Sequence, residues 1–128
     1  MEQKTHRLTS KEIVGEPVKI EKGYAEVKLK TKEEMAVDEY GLVHGGFTFG
    51  LADYAAMLAV NEPTVVLAKA EVKFLKPVRV GEELLARGEL REESEKKKIV
   101  WVDVFNQKKE KVFEGKFYCY VLEKHVLE

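Results

Sequence analysis

From Ala25 to Lys30, apolar Ala25, Val27 and Leu29 alternate with Glu26, Lys28 and Lys30, the two-residue period of a strand with one wet face. The period then changes. Residues 47–60 read FTFGLADYAAMLAV, apolar around almost the whole circumference of a helix, and the pattern predicts helix over 46–61 with Pro63 marking its exit. After Pro63 the strand period returns. Val66, Ala68, Ala70, Val72 and Phe74 are predicted on one face of a long strand, with Lys69, Glu71 and Lys73 on the other. Pro77 and Gly81 punctuate it, and Leu84, Ala86, Gly88 and Leu90 then alternate with charged neighbours. Residues 92–98 read as a charged turn, and 98–105 and 111–122 as a further strand pair around the loop 106–110. Upstream, Thr9-Ser10-Lys11-Glu12 has the form of a capping box for about one helical turn ended by Gly15 and Pro17, and 38–43 is a loop. The count is five strands and one long helix.

A helix apolar on all sides must be wrapped on most of them. One strand before it and four after, each with a single apolar face, predict an α+β fold in which an antiparallel sheet curls around that helix. At 128 residues the chain fits one domain, 1–128, with no internal repeat or linker, and can bury about two-thirds of its unfolded surface. A formal net charge of −1 gives no electrostatic case for nucleic acid. The apolar run 47–60 is too short for a bilayer and is interrupted by Asp53, and no charged leader precedes an apolar run, so a cytoplasmic protein with no membrane contact is expected. Charge carried mostly by Lys and Glu, with Asn and Gln scarce, leans towards a thermophilic source. The lone Cys119 lies in an apolar segment and reads as a small hydrophobe. His6 and His125 sit near the chain ends without evident partners, and three scattered histidines make no metal site.

Chemistry concentrates around the helix. Asp53 is its one ionisable group, and an isolated carboxylate among apolar residues is costly to keep. Just before it, His44-Gly45-Gly46 would place two glycines at the helix N-terminus, where backbone N–H groups concentrate positive potential and another molecule can approach closely. A histidine there also fits a residue that caps the helix.

The run Gly41-Leu42-Val43-His44-Gly45-Gly46, followed by Leu51-Ala52-Asp53 and closed by Asn61, resembles the central-helix signature of hotdog-fold acyl-CoA thioesterases, especially the phenylacetyl-CoA thioesterase-like branch. Phe74-Leu75-Lys76-Pro77-Val78-Arg79-Val80-Gly81-Glu82 resembles the strand and turn that follow in that family, and the likeness spans about residues 24 to 122. The resemblance implies a five- to six-stranded antiparallel sheet around one central helix. It also implies hydrolysis of a small or medium acyl-CoA thioester to free acid and coenzyme A, with no cofactor beyond the coenzyme A of the substrate. Such hydrolysis needs an oxyanion donor and a group that attacks or activates water. By the resemblance, the Gly45 N–H is the donor, His44 positions or polarises the carbonyl, and Asp53 is either general base or nucleophile through a mixed anhydride. Substrate contacts would come from Gly46, Asp38, Phe47, Thr64, Lys73, Lys76 and Arg79, the last three as partners of coenzyme A phosphates or as solvated charges. Two positions depart from the pattern. Asp38 stands where relatives often carry Asn, replacing a donor by an acceptor, and Leu67 aligns where some carry Ser or Thr, with Thr64 the nearest hydroxyl. A non-catalytic acyl-CoA sensor of the same fold is the alternative; retention of Asp53 favours the enzyme.

Helix arithmetic adds a constraint. Asp53 lies seven residues beyond Gly46, roughly 10 Å along the axis. A thioester carbon must lie within about 3–4 Å of both its attacker and the groups holding its oxygen. Two chains packed antiparallel about a two-fold would bring the His44-Gly45 end of one helix to Asp53 of the other, so a homodimer or a dimer of dimers is expected.

Overall fold

The computed structural model describes residues 1–128. Strands β1 (Glu16–Glu21) and β2 (Tyr24–Lys30) precede helix α1 (Gly45–Val60), and β3 (Val65–Phe74), β4 (Glu83–Glu93), β5 (Lys97–Phe105) and β6 (Lys111–Val121) follow it. All six form one antiparallel sheet in the order β1-β2-β4-β5-β6-β3. The helix packs mainly on β4, β2 and β5, and from Leu51 to Ala59 only Asp53 escapes full burial. The wrapped apolar helix expected from the sequence is present.

Three local expectations change. A sixth strand, β1, runs through Pro17, which the sequence reading took as a break. β1 is an edge strand with a bulge between Pro17 and Lys19, and an edge with a bulge is where a sheet tolerates a residue lacking an N–H. The face assigned to the first half of β3 is also reversed. Leu67 pairs with Cys119 and Lys69 with Tyr118, so Ala68 is an extra, exposed residue in a bulge. Val65, Leu67, Ala70 and Val72 therefore face the core, and Val66 and Ala68 do not. Finally, the turn at 11–14 is held by Ser10, whose Oγ accepts from the Ile13 N–H at 3.3 Å; Glu12 does not close a box but meets Lys32 Nζ at 3.0 Å.

The helix ends as its sequence dictates. Asn61 adopts the left-handed conformation at φ 52°, ψ 45°, and its N–H bonds the Met57 carbonyl at 2.8 Å. Its side-chain amide then holds the N-terminal segment, accepting from the Lys4 N–H and donating to the Glu2 carbonyl, both at 2.8 Å.

Helix and sheet come into close contact at Gly88, where an added Cβ would stand 2.9 Å from the Ala55 carbonyl oxygen and 3.4 Å from Val100 Cγ1. The obstacle on the helix side is backbone, which cannot rotate away. Gly88→Ala is therefore expected to destabilise the fold by about 1–3 kcal/mol, seen as a lower urea midpoint at unchanged m-value. An unchanged midpoint would mean that α1 can lift off the sheet without loss.

Candidate active site

Two places on α1 carry the chemistry, its first turn and its middle. At the first, the chain enters through a loop tied down on both sides: Val43 N–H bonds the Val78 carbonyl at 2.8 Å, His44 N–H bonds Met35 at 2.9 Å, and Val80 N–H bonds Gly41 at 2.8 Å. Gly45 and Gly46 open the helix, and neither N–H donates to any group of the chain. His44 occupies the capping position at φ −59°, ψ 130°, but its side chain makes no capping bond. Its ring lies over Gly46 instead, where an added Cβ would come within 3.0 Å of Nε2, and edge-on to Phe47 at 6.0 Å between centroids. Gly45 faces an apolar cavity of about 230 Å³ walled by Leu42, Val43, Phe74 and Val78. That cavity shares Leu42, Lys76, Pro77 and Val78 with a neighbouring one of about 400 Å³ that also holds Tyr40 and Arg79.

The second place is Asp53, midway along the helix. Its Oδ1 is buried and meets no hydrogen-bond partner within the chain. Burial alone pushes its carboxyl up from 3.8 to about 6. Beside it opens a cavity of about 400 Å³, bounded by Met57 of the same helix, by Thr64 and Leu67 at the start of β3, and by Thr5, His6 and His125 from the two chain ends. From one place to the other, Gly46, Gly50 and Asp53 follow one another along the less covered side of α1. A Cβ added at Gly50 would meet nothing within 4 Å, so that stripe is open.

The remaining expected residues divide. Thr64 lines the Asp53 cavity, its Oγ1 donating to the Leu122 carbonyl at 2.6 Å. Phe47 is half-buried against the core. Lys76 and Arg79 share the cavity beyond Gly45, Lys76 with its ammonium 3.1 Å from Glu110 and Arg79 without an ion pair. Lys73 does not join them: it lies on the outer face of the sheet, in a polar hollow with Arg91, Trp101 and Lys116. Asp38 organises the entry loop, its Oδ1 accepting from the Tyr40 and Leu42 N–H groups at 3.0 and 3.3 Å. Cys119 is buried, and its thiol is pushed up to about 12 by burial and then by the Asp53 charge, in keeping with a packing role. His6 and His125 are the residues that the sequence pattern missed. Both were read as lacking partners, whereas His6 Nδ1 lies 2.8 Å from Thr5 Oγ1 and both rings border the cavity of Asp53.

Comparison with known proteins gives this arrangement its relatives. The sequence model of the thioesterase superfamily matches residues 40–113. The solved structure of an uncharacterized protein from Pyrococcus horikoshii is similar at 67% identity and TM-score 0.98, over 100% of this chain and 98% of that one. A protein of Streptococcus mutans UA159 solved bound to acetyl CoA is similar at 28% identity and TM-score 0.82, over 94% and 97%. Among curated proteins, the chain is 54% identical over 122 residues to a methylthioribose-1-phosphate isomerase of Aquifex aeolicus, spanning 95% of this chain and 26% of that protein. It is 29% identical over 127 residues to the transcription factor FapR of Caldanaerobacter subterraneus, spanning 98% of this chain and 63% of FapR. The chain thus spans only a quarter to three-fifths of these curated relatives.

The raised carboxyl has a thermodynamic sign. The folded chain holds the Asp53 proton more tightly than the unfolded one, so between pH 3.8 and about 6 folding takes up a proton and stability falls as pH rises. Moving from 3.8 to about 6 corresponds to about 3 kcal/mol lost by neutral pH, an upper bound. Asp53→Asn should therefore raise stability at pH 7.5 by up to about 3 kcal/mol and by much less at pH 4, checked by urea unfolding at both pH values. A gain of equal size at both would refute the desolvated carboxylate.

Proposed function

The chain belongs to the thioesterase superfamily, and from that premise we propose that it hydrolyses a small or medium acyl-CoA thioester to free acid and coenzyme A at sites shared between two subunits of a dimer. One observation carries the reading: a buried carboxylate oxygen without a partner beside an open cavity, on the helix whose first two N–H groups are also unengaged.

The topology supports the sharing. β3 ends the sheet, paired with β6 on one side and with nothing on the other. At one end of β3, Leu67 borders the Asp53 cavity; at the other, Phe74 presses on Gly45, its Cε1 3.1 Å from where a Cβ would sit. Two β3 strands paired antiparallel about an axis between residues 70 and 71 set Leu67 of one chain against Phe74 of the other. Each Asp53 cavity then adjoins the Gly45 N–H of the second subunit, and an edge that would otherwise stay unpaired is covered.

In such a site the Gly45 N–H receives the thioester oxygen as it becomes an oxyanion, and the exposed His44 ring orients the carbonyl. Asp53 works in one of two ways. As general base it takes a proton from water, whose oxygen attacks the carbonyl carbon; the C–S bond breaks and the sulfur leaves as thiolate, which the proton then reaches. As nucleophile its carboxylate oxygen attacks the carbonyl carbon, the C–S bond breaks and coenzyme A leaves as thiolate; water then hydrolyses the mixed anhydride, which frees the acid, restores the Asp53 carboxylate and supplies the proton that the thiolate takes. A carboxyl near 6 is ionised at neutral pH yet basic enough for the first route. The apolar cavity at Gly45 and its continuation to Lys76 and Arg79 suit the pantetheine arm and phosphates of coenzyme A. The acetyl CoA bound by the Streptococcus mutans relative supports that ligand class. No helix is long and apolar enough to cross a membrane, and we place the activity in the cytoplasm.

The likeness to FapR favours a second reading, a domain that binds acyl-CoA without turnover. A free-thiol assay across an acyl-CoA panel separates the two. Hydrolysis with Asp53→Asn slowed by at least about 100-fold is expected; tight binding with no thiol release on any substrate would install the sensor. Gly45→Pro tests the donor, because the helix start is where proline fits and His44 already has the extended conformation that a following proline requires. The exposed Phe74 ring, 3.1 Å from a Cβ at this position, must shift to admit the proline; with that shift the variant should fold, as checked by circular dichroism, and lose about 100-fold in kcat. Refolding Asp53→Asn with Gly45→Pro leaves one wild-type site in each mixed dimer, so about a quarter of wild-type activity should return. No recovery in verified heterodimers would sink the shared site.

A further inference from the structure

The cavity at Asp53 has a wall that the helix and sheet do not supply. Residues 2–6 cross the end of α1 as a strap with four anchors. The Asn61 amide bonds Glu2 and Lys4, Gln3 Nε2 donates to Tyr54 Oη at 3.0 Å, and Thr5 is only 5% exposed. The strap then turns sharply. His6 has φ 55°, a left-handed conformation uncommon outside glycine, although histidine enters it more readily than most side chains. Its support is local: Thr5 Oγ1 engages Nδ1 at 2.8 Å, and the ring stands 6.4 Å from that of Tyr54. With Nδ1 occupied, the free nitrogen is Nε2, and His6 lines the cavity together with Met57, Thr64 and Leu67. A strained residue held in place by a buried neighbour, at the rim of a cavity with an unsatisfied carboxylate, is costly to build for packing alone.

We propose that this strap is part of the acyl site, with His6 as the residue that limits how long an acyl group can enter beside Asp53. The inference rests on the acyl-CoA reading above and adds to it the boundary of the acyl end. It has a steric content: Met57 and Leu67 line the cavity of about 400 Å³ from the helix and sheet, Thr5 and His6 line it from the strap, and its remaining rim is formed by exposed Pro63, His125 and Val126. Because His6 is exposed on its outer side, a larger ring can be carried there without rebuilding the core, and a smaller one opens the cavity outward.

The test compares wild type, His6→Ala and His6→Trp on straight-chain acyl-CoAs from acetyl to decanoyl. The ratio of kcat/KM for long over short chains should rise at least about fivefold in His6→Ala and fall at least about fivefold in His6→Trp, the scale of a few methylenes gained or refused. Inhibition by coenzyme A alone, which has no acyl group, should stay the same in both. Opposite shifts cannot come from a strap that has merely come loose. A uniform loss across all chain lengths in both variants, or an unchanged profile, overturns the proposal. The same series is read as equilibrium binding in an Asp53→Asn background, which keeps the two readings apart. If wild type binds acyl-CoA without hydrolysing it, the hydrolase reading falls, and the length profile of the dissociation constants still decides for or against His6. If no acyl-CoA binds, both are overturned.

Discussion

Ala55 brings its carbonyl oxygen so close to Gly88 that no side-chain carbon fits between helix and sheet. Much follows from that approach. A helix with no polar face gains most by burying its backbone in the curve of the sheet, and it can do so only where β4 has no Cβ. Once seated, α1 cannot turn or slide without driving backbone into backbone. Its rotation decides that Gly46, Gly50 and Asp53 form the open stripe, and its depth decides that Asp53 Oδ1 lies below the surface.

The fixed helix also explains how a desolvated carboxylate is tolerated. A cost of about 3 kcal/mol at neutral pH is a large share of the 5–15 kcal/mol by which domains are usually stable. A looser helix would relieve it by letting the side chain swing to water. Here Leu51, Ala52 and the run from Tyr54 to Ala59 are buried around it, so the carboxylate is held in its cavity by the packing of its neighbours. Site and core are in opposition at one residue, and the core prevails.

Much of this could be read from the sequence because two periodicities carry it. Alternation at Ala25, Val27 and Leu29 and from Leu84 to Leu90 marks strands with one buried face, and the unbroken apolar run marks the helix between them. Where periodicity misled, a local irregularity was responsible. Pro17 hides an edge strand, and the bulge at Ala68 shifts the phase of β3, so that Val66 looked like core and Leu67 did not. The site divides in the same way. Asp53 stands out because it is chemically out of place, and His44-Gly45-Gly46 because its glycines sit at a helix start. The strap has neither mark: residues 2–6 show no period, and what fixes them is the amide of Asn61, visible in sequence only as a helix stop. Asp38 was legible as a loop residue, but its two backbone partners depend on a turn that spacing does not specify.

β3 is joined to the sheet by a long-range pairing. Short turns join β4 to β5 and β5 to β6, so those pairings close over few residues, whereas Val65 must find Val121 and, on the far side of the meander, Tyr24 must find Glu89. Loop-closure entropy makes such distant pairings the slow ones, and β3 docks on an edge that the β5–β6 pairing presents. Contact order thus puts β3 and the β1–β2 hairpin onto the sheet after the meander. The free side of β3, the edge through which two subunits would pair, comes into existence only once the meander is in place. Subunit recognition is thereby made to wait on the first stage of chain folding, and a chain that has not built its meander has no edge of the right sequence to offer a partner.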